Sequence, residues 1–167
     1  MKTPPTGRFL LLDFAAQTCY NSVMGWFNYY GLAIIVVIMI PNIVFAATHR
    51  GGFANAYQNK AAEVLEQIGR YACLIFMAFN IPYTYFDFWF GHALIVYLAV
   101  NGALLAAYLI FWIVCRKQNG KLKALALSVL PSLIFLFSGT MLLHIPLLVF
   151  AVIFAVNHIL ISYKNAL

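Results

Sequence analysis

Charge is what this sequence has least of. Of its 167 residues only 8% are Asp, Glu, Lys or Arg, and four of those are acidic. Ordinary soluble domains carry about 25% charged residues. So little charge excludes a soluble enzyme, a disordered tail and a coiled coil with charged flanks. Cysteine is scarce as well. Cys19, Cys73 and Cys115 form no paired spacing, no CxxC and no Cys/His zinc pattern, which excludes a disulfide-stapled secreted domain. Cys73 and Cys115 fall inside apolar stretches and read as small hydrophobes. GxSxG, SxxK, HExxH, Walker and GxGxxG motifs are all missing, so no catalytic signature is present. The inverted pair Ile40-Pro41-Asn42 and Asn80-Ile81-Pro82 is too short to mark the repeats of a secondary transporter.

What is present is apolar. Hydrophobic residues make up 65% of the chain and the mean hydropathy is +0.91. A soluble domain of about 150 residues still exposes roughly 30% of its unfolded surface, too much for this composition to face water. The fold class expected is therefore all-α: an integral membrane bundle of about five transmembrane helices. Crossing about 30 Å of hydrocarbon takes about 20 mainly apolar residues. Five stretches meet this: Tyr29–Ala47, Glu63–Ile81, Ala93–Cys115, Leu122–Leu143 and Pro146–Tyr163. The second is the weakest, because Glu63, Glu66, Gln67 and Arg70 crowd its first turns. His144 and Ile145 alone separate the last two, and Pro146 suits a first helical turn, so a tight antiparallel hairpin is expected.

Basic residues orient the bundle. Arg50 and Lys60 lie between the first two stretches; Arg116, Lys117, Lys121 and Lys123 lie around the third connection. The second and fourth connections carry none, and Lys164 closes the chain. This alternation predicts a cytoplasmic C-terminus and an N-terminus outside. The net charge of +6 then faces anionic lipid headgroups, and its scatter over short loops argues against nucleic acid as a partner. A single transmembrane domain over residues 29–167 follows, preceded by residues 1–28 as an interfacial segment or extension. Lys2, Arg8 and Asp13 flank or interrupt the apolar run 9–16, which fits an amphipathic surface helix better than a cleaved signal. Met24 is an alternative start; N-terminal sequencing distinguishes it from Met1.

Proline and small residues punctuate the stretches. Pro41 is expected to kink the first, and Pro131 to free the Leu127 carbonyl, with Ser128 and Ser132 near enough to satisfy it. Ala99, Ala103 and Ala107, with Gly102 and Ala106 beside them, form small-residue stripes that predict close packing of the third and fourth stretches or a dimer contact. The run Tyr83-Thr84-Tyr85-Phe86-Asp87-Phe88-Trp89-Phe90 reads as an interfacial aromatic belt, with a cation or aromatic ligand site as the alternative.

Ionisable groups inside spans are costly and mark functional sites by default. Two constellations emerge. The inner one joins Asn42, Glu66, Arg70, Asn157 and His158 at the cytoplasmic end, either as a mere i,i+4 ion pair or as a polar ligand pocket. The outer one, Asp87, His92 and His144, offers a carboxylate and two imidazoles to a metal, without any local ligand spacing. Asn101 is placed near mid-membrane for an interhelical hydrogen bond.

The runs Met39-Ile40-Pro41-Asn42-Ile43-Val44-Phe45-Ala46, Glu66-Gln67-Ile68-Gly69-Arg70-Tyr71 and His158-Ile159-Leu160-Ile161-Ser162-Tyr163-Lys164-Asn165 resemble a group of short, uncharacterised polytopic membrane proteins of Gram-positive bacteria. The resemblance covers Asn28 to Leu167 and implies a bacterial cytoplasmic membrane, with no mechanism attached. The function expected is binding, carrying or sensing a small polar ligand or ion, as an oligomer or accessory subunit. A membrane-embedded enzyme acting on lipid or isoprenoid and a structural or immunity-type partner are the alternatives. No cofactor is implied.

Overall fold

A computed structural model describes residues 25–48, 57, 59–115 and 121–166. The segment before Gly25, with its surface-helix, signal and Met24 readings, lies outside the described residues, as do Cys19, Arg50, Arg116 and Lys117. The chain is all-α. Its five described helices are α1 (Tyr29–Thr48), α2 (Lys60–Ala78), α3 (Ala93–Val114), α4 (Lys121–Met141) and α5 (Ile145–Asn165). Four of them, all but α2, are long and apolar enough to cross a membrane, which fits a multi-pass membrane protein.

The helices run up and down, so their ends gather at two levels. At one level α1 begins beside the end of α2. The Asn28 N–H donates to the Ala78 carbonyl at 2.8 Å, and the Asn80 N–H to the Trp26 carbonyl at 2.9 Å. The Asn28 side chain also caps α1, accepting from the Gly31 N–H at 2.9 Å. At the other level the Tyr57 N–H donates to Asn165 Oδ1 at 2.8 Å, tying the approach to α2 to the end of α5. Asn59 then caps α2.

The amphipathic α2 is the helix most in need of partners. Its buried residues Ala62, Glu66, Gly69, Cys73 and Met77 recur at helical spacing and form one stripe. That stripe faces α5, the pair that packs most extensively, where Leu147, Ala151, Phe154 and Ala155 are buried. Gly69 lets the backbones meet: a Cβ there would stand 2.8 Å from the Phe154 nitrogen. Gly31 does the same between α1 and α2, its Cβ position falling 2.0 Å from the Met77 carbonyl oxygen.

Helix α4 is the central one, in contact with α3 and α5 and carrying the largest buried share of the four apolar helices. Its polar stripe Ser128, Ser132 and Ser138 is buried. The small-residue stripe of α3 is not: Ala99, Gly102, Ala103 and Ala106 face outward, and a Cβ at Gly102 would meet nothing within 4 Å. Polar groups rather than small ones therefore select the inner face of α3, where Asn101 accepts a bond from the Ser138 hydroxyl at 3.2 Å. The serines beside Pro131 also act otherwise than expected. Ser128 donates to the Leu125 carbonyl and Ser132 to the Ser128 carbonyl, so neither takes Leu127.

The α4–α5 hairpin is confirmed. Leu142 and Leu143 turn the chain, Leu143 with a φ of 45°, and His144 begins α5.

Gly69→Ala should lower the melting temperature of the detergent-solubilised protein, by about 1–3 kcal/mol of overpacking, while Gly102→Ala should leave it no lower, because an exposed helical glycine gains from a methyl group.

Candidate functional site

Glu66 is 6% exposed and lies on the α2 stripe against α5. Its Oε1 accepts from Arg70 Nη2 one turn along α2. The same oxygen lies 2.9 Å from His158 Nδ1 on α5. The His158 ring stacks on Phe154, with centroids 4.7 Å apart and planes at 18°, which fixes its orientation towards the carboxylate. One carboxylate thus holds two nitrogen bases from two helices. Where the Arg70 side chain is 38% exposed, solvent screens its pairing and keeps it near the 0.2–0.5 kcal/mol of a helix-surface pair. The buried oxygen depends more on His158, whose side chain is 21% exposed.

Three of the five inner residues therefore come together. Asn42 and Asn157 do not join them. Asn157 donates to the Ile153 carbonyl of its own helix at 2.8 Å, and Asn42 donates to the Ile38 carbonyl at 3.2 Å. Asn42 does accept from the Tyr108 hydroxyl on α3 at 3.2 Å. Tyr108 escaped the sequence reading. Its signal was the spacing Tyr97, Asn101, Tyr108, which puts three polar side chains on one buried face of α3.

The outer residues are dispersed, which corrects the expectation of a metal site. Among the described residues no group of three His, Cys, Asp or Glu side chains could hold a metal ion. Asp87 Oδ1 is occupied by the Tyr85 hydroxyl at 2.9 Å and the Phe88 N–H at 2.7 Å. His92 is exposed at the start of α3 and makes no cap bond. His144 is fully buried between the rings of Phe76 and Tyr85. Its Nδ1 accepts from the Leu147 N–H at 3.2 Å, so this imidazole serves as a helix cap. Backbone N–H groups of their own segments claim the Asp87 and His144 side chains, while His92 stays exposed, so the three do not converge.

The aromatic run between α2 and α3 divides by side. Tyr83, Phe86 and Trp89 point outward, while Tyr85 and Phe88 pack on the core, Phe88 against Tyr97. No protein family, curated protein or solved structure matches the chain.

Burial pushes the His144 pKa down from its ordinary value of about 6.5, the backbone of Phe79 and of His144 itself offsetting this only in part. The unfolded chain then binds the proton first, so stability is full above that value and falls as the pH drops below it. Protonation at Nδ1 also removes the cap. The melting temperature should therefore decline in mild acid, and His144→Asn, which keeps a capping oxygen without a titrating group, should flatten that decline.

Proposed function

We propose that the chain is a five-span protein of a bacterial cytoplasmic membrane, with its N-terminus outside and its C-terminus inside, that binds, carries or senses a small polar ligand or ion at Glu66, Arg70 and His158. The fifth span in this reading is α2. Its support is that the end of α2 is bonded to the start of α1 and that α2 packs along α5, both of them apolar enough to cross. The described basic residues Lys60, Arg70, Lys121, Lys123 and Lys164 lie towards the level where α2 and α4 begin and α5 ends, which favours the cytoplasm and anionic headgroups on that side. A homo-oligomer or a partner subunit is compatible with the outward small-residue face of α3. The localisation also rests on the resemblance to Gram-positive membrane proteins.

The observation that carries the ligand reading is the third member of the site. Glu66 and Arg70 on one helix already neutralise each other, so His158 is surplus to charge balance. His158 thus adds a polar group that charge balance does not require, beside a carboxylate and a guanidinium at membrane depth. For the enzyme alternative there is less support, since Asp87, His92 and His144 form no metal-holding group among the described residues.

The test is thermal unfolding of the purified protein against a panel of simple salts and small polar metabolites at several pH values. At least one compound should raise the melting temperature of the wild type and fail to raise that of Glu66→Gln and His158→Ala, with all proteins inserted in membranes at equal amounts. If both variants respond as the wild type does, the trio is only a structural tie between α2 and α5.

A further inference from the structure

Lys123 is a cation to which the bundle gives no anion. It sits in the first turn of α4 and is only 6% exposed. Lysine reaches such burial almost only when it is paired. Its Nζ lies over the Trp112 ring in the last turn of α3, 5.9 Å from the centroid. That ring packs in turn on Phe45 of α1. A ring face attracts the charge but gives the three ammonium N–H donors no lone pair to bond. Among the described residues Lys123 has no hydrogen bond or ion pair, and none of the carboxylates of Glu63, Glu66 and Asp87 pairs with it.

The ammonium is aimed at the opening of α4. Side chains on a helix lean towards its N-terminus, so Lys123 covers the start of its own helix. The first-turn N–H groups there have no carbonyl of their own helix to pair with, and they carry the positive end of its dipole. No acidic residue in that turn offsets them, and Lys121 adds a second cation to the sequence. A buried cation and a helix start of the same sign thus converge without a counterion. The ammonium is not one of the sealed polar atoms of the bundle, so a ligand can reach it.

The ligand must be an anion, since the ammonium and the helix N–H groups all donate. It must also suit the depth. The 21 residues of α4 span about 31 Å, close to the ~30 Å of hydrocarbon. Its first turn therefore stands at the level of the phosphates of a bilayer. Phosphate oxygens accept from N–H groups at helix starts, and lysine binds them as a point charge. We propose that Lys123 and the first-turn N–H groups of α4 form a binding site for a phosphate group, with the Trp112 ring behind the ammonium. The phosphate is carried by a membrane phospholipid or by a soluble compound, and the contacts are the same for both. The site is separate from Glu66, Arg70 and His158, which belong to α2 and α5.

The test is thermal unfolding of the detergent-solubilised protein titrated with dioleoylphosphatidylglycerol, dioleoylglycerol or inorganic phosphate. The phospholipid should raise the melting temperature, and dioleoylglycerol, which lacks the phosphate, should not. Lys123→Met keeps the apolar stem and should weaken phospholipid binding about 10–100-fold. Lys123→Arg should restore most of that loss. Lys164→Met removes the same charge from an exposed position and should leave the affinity within about threefold. A response to inorganic phosphate with the same dependence on Lys123 assigns the site to soluble phosphate; a response to the phospholipid alone assigns it to the membrane. Equal losses in Lys123→Met and Lys164→Met reduce the effect to diffuse attraction and overturn the site. So does a wild type that responds to neither phosphate compound, or a Lys123→Met protein that binds as the wild type does.

Discussion

The seam between α2 and α5 is the constraint on which the rest of the bundle depends. Helix α2 brings Glu63, Glu66, Gln67 and Arg70 into an otherwise apolar assembly. Apolar helices meet lipid anywhere on their surface, but a buried carboxylate needs a partner at one position only. His158 supplies it, and Gly69 lets α5 come close enough for the bond to form. Close backbone approach and charge pairing are thus a single requirement: a side chain at Gly69 would push His158 away from Glu66. The register of α2 on α5 follows, and with it the orientation of the loop towards α3.

The two ends of the bundle use different chemistry. One end holds the Glu66, Arg70 and His158 group and the other described basic residues, Lys60, Lys121, Lys123 and Lys164. The other is built mostly from the neutral groups Asn28, Asn80, Tyr97, Asn101, Ser138 and His144, holds one carboxylate at Asp87, and is rimmed by exposed Tyr83, Phe86 and Trp89. Neutral hydrogen bonds hold that end together without carrying charge into hydrocarbon, and they join residues far apart in the chain, as Asn28 joins Ala78. Between the ends, Ile34, Ile35, Ile38, Cys73, Met77 and Ile134 fill an apolar middle.

Much of this was legible in the sequence, because hydrocarbon allows few solutions. The start of α1 at Tyr29 and of α3 at Ala93 agree with the apolar runs, and the pairing of Glu66 with Arg70 follows from one helical turn. Partner choice across helices was harder to read. His158 was placed with Glu66 and Arg70 by common depth, but that depth did not show that Asn42 and Asn157 would instead donate to carbonyls of their own helices. The stripe of Ala99, Ala103 and Gly102 promised an inner face and instead points outward, because Asn101 and Tyr97 on the other side have more to gain from burial beside Ser138. His144 resembled a metal ligand only while its own backbone was ignored; the first turn of α5 needed an acceptor and took the nearest.

The short turn at His144 also bears on how the chain enters a membrane. Leu142, Leu143 and His144 extend to about 10 Å at most, far less than the thickness of hydrocarbon. Helix α4 therefore cannot complete a crossing and wait with α5 still in water on the far side. The two must be laid in together as a preformed hairpin. In the proposed orientation its tip leads through the bilayer, and an imidazole that gives its lone pair to the Leu147 N–H travels uncharged, relieving a backbone group that would otherwise cross bare.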